Sequence, residues 1–253
     1  MARRATIIRQ YTSRHVSVLV VDAGGFFLPF GRRARMRNEF IARSYALSGY
    51  HAVNLARNDL RLGAVFVRQL RERFGVPLLS TNVAYAETGE PIVATHVTVK
   101  VPLEKGTCTV AILGVLEECS ALFSSSLKER PVAAKDPRSA LTEELARLKG
   151  SYDLVILLAH MDETSATAFA EEVRRIDVLI CGGDANRGVH QKSSGLICAK
   201  PGLDGKYLGV IEVDTSRRPP RLVNAQFFSL DASVPEEADV KRLVEEYHQK
   251  DPN

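Results

Sequence analysis

The order of the strand-like runs constrains the fold of this chain more than any single motif. In the first two thirds of the 253 residues, β-branched runs alternate with stretches of helical period. The clearest apolar stripe comprises Leu62, Phe66, Leu70 and Phe74. Towards the end, strand-like runs follow one another without helices between them. This order predicts a single α/β domain over residues 1–253, with a mixed sheet that forms a two-layer sandwich flanked by helices.

The composition narrows the class of protein. The chain is 45% hydrophobic and 25% charged, which is ordinary for a globular protein and excludes a disordered one. A net charge of +4 suits a small anion, but it is too low to indicate nucleic acid as a partner. There is no run of about 18 apolar residues, so a membrane span is not expected. As written, the N-terminus lacks a signal peptide and predicts a cytoplasmic protein; a start upstream of Met1 with such a peptide would predict export.

Polar residues or glycines follow four predicted strands at their carboxyl ends. Three of these ends read Asp22-Ala-Gly-Gly25, Ala56-Arg-Asn-Asp59 and Cys181-Gly-Gly-Asp184, and the fourth is His160. In open α/β sheets, ligands bind beyond the carboxyl ends of the strands. We therefore expect these four ends to converge on one site.

The same segments, in the same order, resemble the calcineurin-like metallophosphoesterases, in particular the catalytic domain of bacterial 5′-nucleotidases. Val20–Gly25 is similar to the strand of that family that ends in Asp-Ala-Gly-Asp, and Gly49–Gly63 to the segment around Gly-Asn-His-Glu. Tyr152–His160 resembles the strand that delivers a metal-binding histidine. Ile176–Gly183 resembles the strand before Gly-His-x-His, and Gly205–Val213 the strand that closes the domain. The resemblance covers nearly the whole chain and implies the same fold.

The resemblance also implies two metal ions held by Asp, His and Asn side chains, but the chain departs from that ligand set. Gly25 stands where the bridging aspartate is expected, and Arg57 and Asn58 replace the Asn-His pair. Gly-Gly-Asp-Ala at 182–185 replaces Gly-His-x-His, so only His160 keeps its place. The first strand, with its Asp-x-His, is missing. We therefore expect that two-metal hydrolysis has been lost.

A cation in place of a metal ligand suggests an anion site. We hypothesise that Arg57 and Asn58 bind a phosphate, nucleotide or carboxylate without metal, since guanidinium binds such groups bidentately. Backbone N–H groups of the glycine loop are expected to assist. The predicted ligand-binding residues are Asp22, Gly24, Gly25, Arg57, Asn58, Asp184 and His190. The competing interpretation is that Arg57 only neutralises Asp22, Asp59 or Asp184.

A divergent metal-dependent phosphoester hydrolase is the alternative function. His160, Asp184 and Asp59 would then hold a single divalent ion such as Mn, Zn or Fe, and no other cofactor is expected. The catalytic candidates in that case are Asn58, Asp59 and His160. His190 follows Asp184 in a polar loop and is expected at the same mouth.

The missing first strand predicts a gap in the sheet. Its loss exposes the backbone groups of two neighbouring strands. Either the sheet closes up, another segment fills the gap, or a partner chain covers it, so a homodimer or a partner chain is predicted. Membranes and nucleic acid are not expected partners.

Overall fold

A computed structural model describes residues 1–28, 30–122, 130–183 and 186–250. The helices are α1 (Ala2–Arg14), α2 (Ala34–Leu47), α3 (Ala64–Phe74), α4 (Pro137–Leu148), α5 (Glu163–Val173) and α6 (Ala238–Lys250), with a 3₁₀ helix at Arg57–Leu60. The earlier strands are β1 (Val21–Asp22), β2 (Ala52–Asn54), β3 (Leu78–Leu79), β4 (Val83–Tyr85), β5 (His96–Pro102), β6 (Thr107–Leu116) and β7 (Cys119–Leu122). The later strands are β8 (Val132–Ala134), β9 (Leu154–His160), β10 (Val178–Gly182), β11 (Arg187–Gln191), β12 (Ile197–Pro201), β13 (Tyr207–Asp214) and β14 (Arg221–Ser229).

The strands form a mixed sandwich. One layer is a sheet with the order β11-β12-β10-β9-β6-β5, in which the inner strands run parallel and the two edge strands pair antiparallel. The other layer contains the parallel sheet β1-β2-β3 and the antiparallel pair β13-β14. A small antiparallel sheet, β4-β8-β7, lies beside them.

The central strands are buried on both faces, so their side chains point alternately into two cores, one on each side of the sheet. In β6, Ala111 and Leu113 pack with the apolar faces of α4 and α5, whereas Val110 and Ile112 point to the core between the layers. That middle core also receives Ala52 of the opposite layer. A third core lies between the β1-β2-β3 sheet and the helices α1, α2 and α3. The structure thus confirms the predicted two-layer sandwich flanked by helices.

One buried side chain ties the two layers together behind the strand ends. Asn54, at the end of β2, is fully buried, and its Nδ2 donates to three carbonyl oxygens. The acceptors are Ala23 at 3.3 Å, Val115 at 2.9 Å and Leu158 at 3.1 Å. Because these carbonyls follow β1 and belong to β6 and β9, Asn54 fixes the relative positions of the loops beyond those strands.

Some strand-like runs of the sequence do not form single strands. The β-branched run over residues 15–22 pairs only at Val21 and Asp22, where β2 offers a partner. The apolar run over residues 76–83 is divided between two sheets, because Ser80 and Thr81 bond instead to Ala94 and Gly114. In the polar stretch over residues 124–135, residues 132–134 form β8, and 123–129 lie outside the described residues.

No helix in the described ranges is long and apolar enough to cross a membrane.

Candidate functional site

The loops that follow β1, β2, β9 and β10 converge, as the strand ends predict. They contribute to the lining of one cavity of about 1420 Å³. The residues from these loops that line it are Asp22, Ala23, Gly24, Gly25, Asn58, His160, Gly182 and Gly183. The remaining lining comes largely from α1, α2, α6 and β13.

Asp59 holds the glycine loop in position. Its side chain is buried beneath the 3₁₀ helix, and Oδ2 accepts from the backbone N–H groups of Gly25 and Ala56, each at 2.8 Å. Oδ1 accepts from Phe27 N, also at 2.8 Å. Burial raises the pKa of Asp59 to about 7, although the three N–H groups favour its charged form. Both oxygens are therefore engaged by the backbone.

The imidazole of His160 is surrounded by glycines. A Cβ on Gly25 would lie 2.8 Å from Cε1 of the ring, and one on Gly182 would lie 3.1 Å from Nδ1. Gly25 also has φ +82°, which a residue with a Cβ adopts only with strain. Burial lowers the pKa of His160, so the ring is neutral at pH 7, and its buried Nδ1 makes no well-formed hydrogen bond. The ring thus fills the space next to position 25.

Asp22 belongs to a second polar cluster that sequence reasoning missed. Its Oδ1 accepts from Gly24 N at 2.9 Å, and its Oδ2 accepts from the Tyr45 hydroxyl at 2.7 Å and lies 3.6 Å from Arg4 Nη1. Arg4 Nη1 also donates to Tyr45 Oη and Tyr50 Oη, at 3.0 and 3.2 Å. Burial raises the pKa of the Tyr45 hydroxyl and keeps it a donor. No local motif signals this cluster, because its members come from α1, β1, the last turn of α2 and the loop after α2.

Arg57 and Asn58 are both exposed, and Asn58 lines the cavity whereas Arg57 does not. Asn58 Oδ1 accepts from Arg61 Nε at 3.2 Å, and the Arg61 guanidinium lies over the Phe30 ring at 4.9 Å. Across the ranges that the structure covers, Arg57 makes no ion pair. Arg57 therefore neutralises neither Asp22 nor Asp59, whose carboxylates accept from other donors, and a pairing with Asp184 stays a prediction because that residue lies outside the described ranges.

Of the two other predicted site residues, His190 is not brought to the site and Asp184 is not described. His190 was predicted in a loop at the cavity mouth, but it lies in β11, which pairs with β12 at the sheet edge, and it does not line the cavity. Its exposed Nε2 is 3.7 Å from Glu163 Oε1, the first residue of α5. Asp184 lies outside the described residues.

The described donors around the cavity do not fit a pair of metal ions. Gly25 offers no side chain, Asp59 has both oxygens engaged by N–H groups, and Asn58 Oδ1 accepts from Arg61. In the described part of the chain, no group of three or more His, Cys, Asp or Glu side chains is arranged to hold a metal ion.

Comparison with known proteins identifies the fold. No protein-family model and no curated protein sequence matches the chain. Among solved structures, the sulfate thiohydrolase SoxB of Thermus thermophilus matches with a TM-score of 0.78 and 19% identity, over 98% of this chain and 46% of SoxB. The calcineurin-like phosphoesterase YfkN of Bacillus subtilis matches at 0.75 and 19%, over 99% of this chain and 88% of that one. A 5′-nucleotidase precursor from Thermus thermophilus matches at 0.70 and 18%, over 98% and 52%.

These matches confirm the resemblance read from the strand ends. The chain has the fold of the calcineurin-like phosphoesterases and 5′-nucleotidases. It spans about half the length of SoxB and of the 5′-nucleotidase precursor, and at these identities the likeness extends to the fold alone.

Proposed function

We propose that this chain has lost two-metal hydrolysis and binds a small phosphate-bearing anion, either phosphate or a nucleotide, through Arg57 and Asn58. The observation that carries the proposal is the exposure of the Arg57 side chain without a carboxylate partner in the described ranges. Arg57 is exposed, makes no ion pair within the described ranges, and adjoins Asn58, which lines the cavity. An arginine with no carboxylate partner among the described residues is available for an anionic ligand.

The chemistry of the Arg57 and Asn58 side chains supports a phosphate group as the ligand. A guanidinium presents a rigid fork of donors that matches two phosphate oxygens. Since Asn58 Oδ1 accepts from Arg61, its Nδ2 group is the part that remains for a ligand oxygen. The N–H groups of Gly24 and Gly25, which sequence reasoning assigned to the anion, donate to Asp22 and Asp59 instead. The binding free energy is therefore assigned to the side chains of Arg57 and Asn58.

The alternative is a hydrolase that uses one metal ion at His160, Asp59 and Asp184. Asp59 would have to release backbone N–H groups that it holds at 2.8 Å, which would free the loop of Gly25. No contact among the described residues favours this arrangement, so we place the anion-binding function first.

The test is calorimetric titration of the purified chain with inorganic phosphate and with adenosine monophosphate. A hydrogen-bonded charge pair contributes about 1.5 to 3 kcal/mol, so Arg57→Ala should weaken binding by about 10- to 100-fold. Arg71→Ala is the matched control, because Arg71 is also exposed and makes no ion pair in the described ranges but, unlike Arg57, does not adjoin a residue that lines the cavity. Equal affinities of the wild type and Arg57→Ala would contradict the proposal.

A second assay addresses the alternative. Release of phosphate from adenosine monophosphate should stay at background with manganese or zinc present. Metal-dependent release that His160→Ala abolishes would contradict the loss of hydrolysis and favour the single-metal site.

A further inference from the structure

The loop between β1 and α2 exposes two large apolar side chains. Leu28 is 55% exposed and Phe30 is 60% exposed, whereas the neighbouring Phe27 is buried in the core beneath α1, α2 and α3. Apolar side chains scattered singly over a surface are ordinary, but a group of them often marks a contact site. Two such residues, two positions apart, therefore make this loop a candidate contact surface.

Two side chains near the start of α2 hold the loop in this position. The fully buried Asn38 accepts from Leu28 N at 2.9 Å through Oδ1 and donates to Leu28 O at 3.1 Å through Nδ2. Arg37 Nη2 donates to Leu28 O at 2.8 Å and also to Phe30 O. These three backbone groups are bonded inside the chain, so moving the loop into an apolar phase would leave none of them unsatisfied.

The positive charge of the chain is concentrated around this loop. Residues 23–71 contain nine arginines, no lysine and two carboxylates, which gives this segment a net charge of +7. The rest of the chain has 25 basic and 28 acidic side chains, a net charge of −3. Of the two carboxylates, Asp59 is engaged by backbone N–H groups and Glu39 pairs with Arg73 at 3.3 Å. Carboxylates within the segment therefore leave its exposed arginines charged and unpaired with them.

Three of these arginines lie beside the exposed apolar side chains. The Arg61 guanidinium lies over the Phe30 ring at 4.9 Å, and Arg35 donates to Leu62 O, next in the chain to Arg61, at 3.4 Å. Arg32 is exposed two residues after Phe30. Within the described ranges, none of the three arginines forms an ion pair. We call this surface the loop face; it comprises Leu28, Phe30, Arg32, Arg35 and Arg61.

This combination matches a phospholipid surface better than a nucleic acid or a peptide. A guanidinium binds phosphate oxygens bidentately, and the boundary between head groups and acyl chains accepts apolar side chains. A nucleic acid would suit the arginines, but its bases stack on aromatic rings and gain little from Leu28. A peptide that pairs by strand addition needs free backbone groups, and those of Leu28 are already bonded.

From these observations we propose that the loop face docks the chain onto the surface of a bilayer that contains anionic phospholipids. Leu28 and Phe30 enter the boundary between head groups and acyl chains, and the three arginines contact lipid phosphates. Sequence reasoning expected no membrane partner, because it considered only apolar runs that could span a bilayer, and docking at the surface requires no such run. This inference does not depend on the anion site at Arg57.

The test is sedimentation of the full chain with lipid vesicles. One set of vesicles consists of phosphatidylcholine, and the other also contains phosphatidylserine as the anionic lipid. We expect binding to the anionic vesicles to be at least about tenfold stronger, and to weaken as added salt screens the arginines. Equal binding to both sets, or binding to neither, would overturn the proposal.

An apolar variant with a matched control locates the contact. Phe30→Ser removes one apolar anchor and should weaken binding to the anionic vesicles by at least about tenfold. Leu47→Ser is the control, because Leu47 is 47% exposed at the far end of α2, about 20 Å along the helix, and should leave binding unchanged. Circular dichroism checks that both variants are folded. Equal effects of the two variants would contradict the proposed location.

A charge variant separates the loop face from the net charge of the chain. Arg32→Gln should weaken binding to the anionic vesicles by about fivefold. Arg175→Gln is the control, because Arg175 is exposed, makes no ion pair in the described ranges and follows α5 on the opposite side of the sandwich. Equal losses in the two variants would assign binding to net charge and overturn the proposal.

A single tryptophan reports insertion directly. The chain contains no tryptophan, so Phe30→Trp gives one emitting residue in the loop face, and Leu47→Trp gives one at the control site. With anionic vesicles, the emission of Phe30→Trp should shift to shorter wavelength and be quenched by brominated acyl chains, while that of Leu47→Trp should stay unchanged. Sedimentation of Phe30→Trp with vesicles without any shift of its emission would contradict insertion of the loop.

Two other occupants of the loop face are tested without lipid. A dimer in sedimentation velocity that Phe30→Ser converts to a monomer would assign the face to a second copy of the chain. Binding of a fluorescein-labelled thymidine oligonucleotide, measured by anisotropy, by a chain that does not bind the anionic vesicles would assign it to nucleic acid. Either result would overturn the proposal.

Discussion

The packing of His160 against Gly25 gives a stability prediction that can be worked out from the coordinates. Gly25→Ala introduces two costs. The backbone at φ +82° is strained for any residue with a Cβ, by about 1–2 kcal/mol, and the Cβ would lie 2.8 Å from His160 Cε1, where ordinary contacts begin at 3.4 Å. Displacing the ring from a packed site adds about 1–3 kcal/mol. We therefore expect Gly25→Ala to lower the free energy of unfolding by about 2–5 kcal/mol.

Two control variants separate these costs. Gly49 has φ +73° and nothing within 4 Å of an added Cβ, so Gly49→Ala measures the backbone cost alone. In a His160→Ala background the ring is gone, and Gly25→Ala should then cost no more than Gly49→Ala. The coupling between positions 25 and 160 is therefore expected to be about 1–3 kcal/mol in a double-mutant cycle.

The assay is urea unfolding with linear extrapolation for the wild type, the single variants and the double variant. If Gly25→Ala costs no more than Gly49→Ala in the wild-type background, or if the coupling is below about 0.5 kcal/mol, the ring does not occupy the space beside position 25. In that case our explanation of how this chain departs from the two-metal arrangement is refuted.

Two further predictions concern buried polar groups. Asn54→Leu leaves three carbonyls without the Nδ2 donor and should lower the free energy of unfolding by about 2–4 kcal/mol. The control Asn224→Leu, at an exposed site on β14, should change it by less than about 0.5 kcal/mol. Equal effects of the two variants in urea unfolding would contradict the role of Asn54. The pKa of Asp59 is about 7 in the folded chain, against an ordinary value of 3.8. Between these two pH values the folded chain keeps a proton on Asp59 that the unfolded chain has lost. The contribution of this carboxyl to the free energy of unfolding therefore falls as pH rises from about 4 to about 7. The decrease is up to about 4 kcal/mol. It is measured as the difference in the free energy of unfolding between the wild type and Asp59→Asn at each pH over this range. A difference that does not change with pH would contradict the raised pKa.

The strands and helices with strong local signals were predictable. The run before His160 is apolar throughout and is buried on both faces in β9, between β6 and β10. An aspartate just before a proline is a typical helix start, and the Asp136 carboxylate accepts from Ser139 N at 2.9 Å at the start of α4. Such features depend on a few neighbouring residues, so the sequence displays them directly.

The features that depend on distant partners were not predictable. Asp59 looked like a metal or catalytic carboxylate, because sequence shows the side chain but not the three backbone N–H groups that face it. The Arg4–Tyr45–Asp22 contacts join residues that no local spacing relates. Residues 16–20 have the composition of a strand, but a strand requires a neighbour, and the described chain provides none on that side.

The most direct test of the central claim is the metal content of the purified chain. After incubation with manganese and zinc and exhaustive dialysis, elemental analysis counts the ions bound per chain. With no side chain at Gly25 to bind a metal and Asp59 engaged by backbone N–H groups, we expect well below one ion per chain. Two tightly held ions per chain would contradict the account and restore a two-metal phosphoesterase.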